Sequence, residues 1–150
     1  MKYFYGVLAI IVLFFILSLF PEQKLPEIYK TRNVTIGNST IMVEIADTNS
    51  LRMTGLSGRE YLDEGTGMLF VFDKPDKYGF WMKDMKFPID IVWINGGKII
   101  HIEKSISPTT YPRVYFPVSP AQYVLELPAG FCDAQGLQVG DFFSTSPQNL

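Results

Sequence analysis

An unbroken apolar run at the start of the chain divides it in two before anything else is considered. Tyr3 opens the run and Phe20 closes it; across residues 3–20 every side chain is apolar, aromatic or small apart from Ser18. As a helix rising ~1.5 Å per residue, the run is roughly 27 Å long, close to the hydrocarbon thickness of a bilayer. Lys2 precedes it, Tyr3 and Tyr5 stand where an interfacial aromatic belt would lie, and Pro21 ends it before Glu22, Gln23 and Lys24. A cleaved signal peptide is the competing reading. Against it, the run is longer than a usual signal core, and Leu17-Ser18-Leu19-Phe20-Pro21 lacks a small-x-small cleavage site. The expectation is therefore a membrane anchor over residues 1–21, with the membrane as a partner through Tyr3 to Phe20. The rest of the chain is expected on the extracytoplasmic side; secretion after signal cleavage is the alternative.

Residues 22–31 read as a polar linker, 32–143 as one β domain and 144–150 as a disordered tail. That domain is of ordinary size for a single core and large enough to fold without disulfides. Cys132 is the one cysteine of the 150 residues, so no intramolecular disulfide exists. A formal net charge of −2 and a pI near 5.3 give no polyanion-binding character, so nucleic acid is not an expected partner. Ten prolines and twelve glycines favour short elements joined by turns.

Alternating segments carry the same message. Val34 to Ile36 and Thr40 to Ala46 flank a Gly37-Asn38 turn and predict a hairpin. Asp47 is placed to cap a short helix from Thr48 to about Leu56. Strands are expected at residues 68–72, 80–82, 89–94, 98–106, 123–127 and 142–143, with Asn95-Gly96-Gly97 as a hairpin turn. Residues 73–79 read as a turn-rich loop, and 107–120, with four prolines, as an extended polyproline-like loop. A turn or two of helix is expected from Pro128 to Gln135. The fold class is mainly β: a jelly-roll-like sandwich or distorted barrel with one or two short helices.

Several blocks recur together: Val43-Glu44-Ile45-Ala46, Arg52-x-x-Gly55-Leu56, Gly67-Met68-Leu69-Phe70-Val71-Phe72, Phe80-Trp81-Met82-Lys83 with Pro88-Ile89-Asp90, Tyr123 to Leu127 with Ala129-Gly130, and Gly136 to Asp141. In order and spacing they resemble the signature blocks of the domain-of-unknown-function 192 family over about residues 32–143. The resemblance implies a jelly-roll-like sandwich or pseudo-barrel and a secreted or membrane-anchored setting, and no established activity. Where that family commonly carries Asn after the Trp-Met-Lys run, this chain has Asp84.

Polar side chains on apolar faces are the informative ones. Strand alternation sets Asp90 on the face of Val92 and Ile94, and Glu126 on the face of Val124. Burying either carboxylate is costly without a partner, and Arg52 and Lys83 are the natural cations. The expected cluster is Arg52, Lys83, Asp90 and Glu126, walled by Trp81, Met68 and Phe80, with Asp84 nearby. It has two functional readings beside a purely structural ion pair. The first is a non-catalytic binding pocket for a glycan, peptide or envelope partner. The second is a glycan hydrolase or lyase in which two carboxylates act as acid and base. His101, the only histidine, cannot make a His-rich zinc site, and Cys132 beside Asp133 has no activating base. No metal and no cofactor are expected.

Overall fold

A computed structural model of the chain describes residues 28–145. The expected anchor over residues 1–21 and most of the linker lie outside the described residues. Among the described residues no helix is long and apolar enough to cross a membrane.

The domain is mainly β, built on one curled seven-stranded sheet of order β6-β5-β8-β3-β2-β1-β9. Its strands are β1 (Lys30–Ile36), β2 (Ser39–Ala46), β3 (Thr66–Asp76), β5 (Ile89–Asn95), β6 (Lys98–Ile106), β8 (Ala121–Pro128) and β9 (Phe143–Thr145). A separate two-stranded ribbon joins β4 (Phe80–Trp81) to β7 (Val114–Tyr115). The first strand begins at Lys30, inside the segment read from sequence as linker. The β1–β2 hairpin and the β5–β6 hairpin turn at Gly37-Asn38 and Gly96-Gly97, as their turn residues predict. By contrast, β2 and β3 run parallel, so the chain must cross over between them, and the crossover carries α1 (Asn49–Thr54).

The helix is capped by Thr48, not Asp47: the Thr48 hydroxyl accepts from Leu51 N at 3.2 Å. Asp47 instead pairs with Lys30 at 3.3 Å. Two more expectations shift in detail. The strand expected to end at Phe72 continues to Asp76, and the proline-rich loop contains a 3-10 turn (Pro108–Thr110) and β7. The second helix, α2, is short (Phe131–Ala134).

The sheet is curled far enough that its two ends meet. Lys98 of β6 bridges to Phe142, just before β9, and Phe143 N donates to Gly97 O at 2.8 Å. The residues around β9 therefore link β1 on one side to the start of β6 on the other. Inside the curl every strand of the sheet contributes to one core: Val34, Ile41, Leu69, Val92, Ile99, Leu125 and Phe143 are all buried together.

A second core lies on the outer face. Met68 and Phe70 of β3, Ile89, Ile91 and Trp93 of β5, and Val124 of β8 pack against Leu51 and Leu56, Met82 and Tyr115. Burial on both faces explains the near-continuous apolar run of β5, whose residues 89–94 are all buried. The outer core is roofed by α1 and its following turn on one side and by the β4–β7 ribbon on the other. Between those two covers the outer face stays open.

Candidate functional site

The register of β8 decides where its acid goes. Leu125 and Leu127 point into the curl, so Glu126 between them points outward, flanked by Met68 of β3 and Ile91 of β5. It is only 5% exposed. Its Oε2 is fully buried without a hydrogen-bond partner among the described residues. Burial pushes its carboxyl up to about 8, and the charge of Arg59 opposes that rise only in part.

Glu126 lines a cavity of about 540 Å³ between α1 and the β4–β7 ribbon. Five aromatic residues wall it: Phe70, Phe72, Tyr78, Phe80 and Trp81. Phe80 meets Phe70 edge-on at 4.8 Å between ring centroids, and Phe72 stacks on Tyr78 at 3.5 Å. Met53, Leu56 and Met85 add apolar surface. Trp81 stands at the mouth, 49% exposed, edge-on to Tyr111 at 6.2 Å. Gly79 lets the ribbon close on its own loop: a Cβ there would stand 2.6 Å from the Phe116 ring and 2.7 Å from Val114.

Arg52 also lines this cavity but pairs with no carboxylate among the described residues. Its Nη1 donates to the carbonyls of Asp47 (2.8 Å) and Val71 (2.6 Å), and its Nη2 to Asn49 Oδ1 (2.7 Å). The guanidinium also lies 5.2 Å from the Phe72 ring centre. It thus ties α1 to the end of β3 and shapes one side of the cavity.

Of the expected cluster, then, Arg52, Glu126, Phe80 and Trp81 meet at one cavity. Met68 is fully buried in the outer core beside Glu126. Lys83 is exposed and makes no ion pair with any of the described residues; only its carbonyl takes part, accepting from Ser57 Oγ at 2.9 Å.

Asp90 lies elsewhere. Paired with Leu127 in register, it points to the inner side, where its carboxylate accepts from Ser105 N (2.7 Å), Gly130 N (3.2 Å) and Cys132 N (2.8 Å). It anchors the start of α2 and the end of β6. The two acids therefore occupy opposite faces and do not face each other across a cleft. Neither is paired with Arg52 or Lys83, because backbone groups reached Asp90 and Arg52 first.

The ion pair that does form on the outer face was not legible in sequence. Arg59 grips Glu44 with two bonds, 2.8 and 2.6 Å. Nothing in the sequence joins a strand residue to a turn fifteen positions on. The cavity residues carried a weak signal as aromatics, Phe70 and Phe72 just before the 73–79 segment and Tyr78 within it. Cys132 is buried, its thiol pushed far up by burial and then by the charge of Asp90. His101 contacts Glu103 at 3.3 Å and lies beside Trp93. Among the described residues no group of three or more His, Cys, Asp or Glu side chains could hold a metal ion.

A family model for DUF192, described as an uncharacterized ACR, matches residues 32–145. The chain belongs to the DUF192 family. Two solved structures share the fold of this DUF192 chain. One, from Sinorhizobium meliloti 1021 and named a "putative transcription regulator", is 29% identical, with a TM-score of 0.74 over 80% of this chain and 98% of its own. The other, a protein of unknown function from Novosphingobium aromaticivorans DSM 12444, is 24% identical, with a TM-score of 0.73 over 82% and 94%. No curated protein matches the chain. The departure at Asp84 also has a physical reading within the DUF192 frame. Its φ is +57°, a left-handed conformation that Asn and Asp both tolerate, and its carbonyl accepts from Gly58 N at 2.8 Å. The position serves the backbone of the loop beside the cavity, and Asp meets that need as Asn would.

Proposed function

We propose that this DUF192 chain is a membrane-tethered binding module whose extracytoplasmic domain takes a small, mostly apolar ligand in the Glu126 cavity. One observation carries the reading: a cavity of about 540 Å³, walled by aromatic rings, holds a single buried carboxyl without a hydrogen-bond partner. Its size falls in the range of small-molecule sites, which combine apolar walls with a few orienting polar groups. The hydrolase reading needs two carboxylates roughly 5 to 9.5 Å apart across an open cleft, and the opposed faces of Asp90 and Glu126 speak against it. The net charge of −2 gives no electrostatic ground for bringing the regulator's name to this chain. Tethering is supported by the apolar run from Tyr3 to Phe20, with secretion after cleavage as the alternative.

The test is a thermal-shift search with the full chain in mild detergent, using small aromatic acids, alcohols, amides and amines. Binding compounds should raise Tm, and Thr54→Trp, which narrows the cavity at α1, should abolish the gain. Equal stabilisation of the Thr54→Trp protein would refute the site. For the tether, the chain should stay with membranes through carbonate and high-salt washes; a soluble form starting near Glu22 would instead mean cleavage.

A further inference from the structure

We infer that the cavity ligand is a small organic ammonium ion, its charge set against Glu126 and its apolar body against the aromatic wall. This rests on the binding reading above and names the ligand chemistry of the same site. Most polar groups that line the cavity are already engaged within the fold. Arg52 is held by two carbonyls and by Asn49, whose Oδ1 is thereby engaged, leaving its amide NH2 as a neutral donor. The Thr54 hydroxyl donates to Ser50 O, the Ser57 hydroxyl to Lys83 O, and the Tyr78 hydroxyl to Lys74 O. Glu126 is the carboxyl left without a partner.

The charges near Glu126 are quickly named. Arg59, in the turn after α1, is the cation whose field reaches it, and both Arg59 Nη atoms are committed to Glu44 of β2. Tyr29 of β1 lies near enough to feel the charge of Glu126 and donates its hydroxyl toward Leu51 O and Gly55 O. Arg52 of α1 is turned to the carbonyls. Among the described residues no side chain forms an ion pair with Glu126.

The wall favours the same sign of charge. The faces of Phe, Tyr and Trp rings carry negative potential, and cations over them are attracted, most strongly where water is excluded. Phe70, Phe80 and Trp81 with one carboxyl make a lining suited to an ammonium group on an apolar body; Phe72 already stacks on Tyr78 and under the guanidinium of Arg52, the one cation among the lining residues. A neutral ligand would use the apolar walls and leave the carboxyl's charge unexploited. A carboxylate ligand would be repelled by Glu126 whenever that group is ionised.

The proposal fixes the direction of pH dependence. With burial holding Glu126 near 8, the free protein carries it mostly as the acid at neutral pH. An ammonium ion binds to the ionised form, so its uptake displaces a proton. Affinity should then rise by about tenfold per pH unit on the acid side of that value.

The experiment titrates the full chain in mild detergent with 2-phenylethylammonium chloride and with the neutral 2-phenylethanol, following tryptophan fluorescence at about pH 6 and about pH 8. The ammonium ion should bind at least tenfold more tightly at the higher pH, and the alcohol equally at both. Glu126→Gln should weaken ammonium binding at least tenfold at the higher pH, remove its pH dependence and leave the alcohol unaffected. Alcohol binding with flat or absent ammonium binding overturns the inference and leaves the binding reading standing. Failure of both probes removes support from both. The pH comparison uses the unaltered chain, so it decides even if Glu126→Gln folds poorly.

Discussion

The domain buries two carboxylates and treats them in opposite ways. Asp90, wholly buried, receives three backbone N–H groups that fix the junction of β5, β6 and α2. Glu126, one register position away across the β5–β8 ladder but on the other face, receives none. Burial alone therefore does not separate a structural acid from a functional one. The partners do: an acid whose two oxygens are both met by backbone amides holds the fold, while one left facing a cavity is positioned for something that is not part of the fold.

The largest effect expected from this contrast is at Asp90. Asp90→Ala strips three buried amides of their acceptor and should cost about 3 to 5 kcal/mol, measured by chemical denaturation. A loss below about 1 kcal/mol would mean that the amides find other acceptors and that the two acids are less different than their geometry says.

Next comes the pH response of Glu126. Its folded value, about 8, lies above the ordinary 4.5, so the folded protein binds the proton more tightly than the unfolded chain does. Its contribution is fully present below the unfolded value and is lost as pH rises through the folded one. Between about pH 5 and pH 7 the unaltered protein should lose up to about 1.4 kcal/mol per pH unit from this group. Glu126→Gln should lack that component. Superimposable stability–pH curves for the two proteins would show that Glu126 does not titrate as a buried, unpartnered acid.

A smaller effect is expected at Arg59. Its pair with Glu44 is partly exposed, the side chains about 29% and 31% accessible, so Arg59→Ala should cost on the order of 1 kcal/mol. Removing that positive charge should also move the Glu126 titration upward, since Arg59 is what opposes the effect of burial. An unchanged midpoint would place Arg59 outside the electrostatics of the cavity. The smallest effect belongs to Trp81→Ala, at the half-exposed mouth, which should change stability by no more than about 0.5 kcal/mol. A larger loss would make Trp81 a structural residue of the ribbon.

The elements of this fold were largely legible because their signals are local. Gly37-Asn38 and Asn95-Gly96-Gly97 mark the two hairpins, and the alternation of β2 and β8 names the faces of their residues. The placement of Asp90 and Glu126 was legible only within each strand. That they share no face follows from the pairing of Asp90 with Leu127 and of Ile91 with Glu126, a register between strands far apart in sequence. The same distance hid the Arg59–Glu44 pair. Arg52 lines the cavity, yet its carbonyl partners could not be foreseen, because the Val71 carbonyl is brought to it only by the parallel crossing of β2 and β3.

The residues around β9 have a consequence for how the chain is made. They pair with the end of β1 and bridge to the start of β6, so they cover part of both outer margins of the sheet, and they come after every other described strand in sequence. During synthesis, β1 and β6 emerge with unmet backbone donors and acceptors, and no segment already made can occupy both. An uncovered strand margin is a template for pairing with another chain. A nascent or truncated chain lacking residues 140–145 would thus carry two sites for self-association, and the last strand to arrive would be the one that keeps the domain from joining its neighbours.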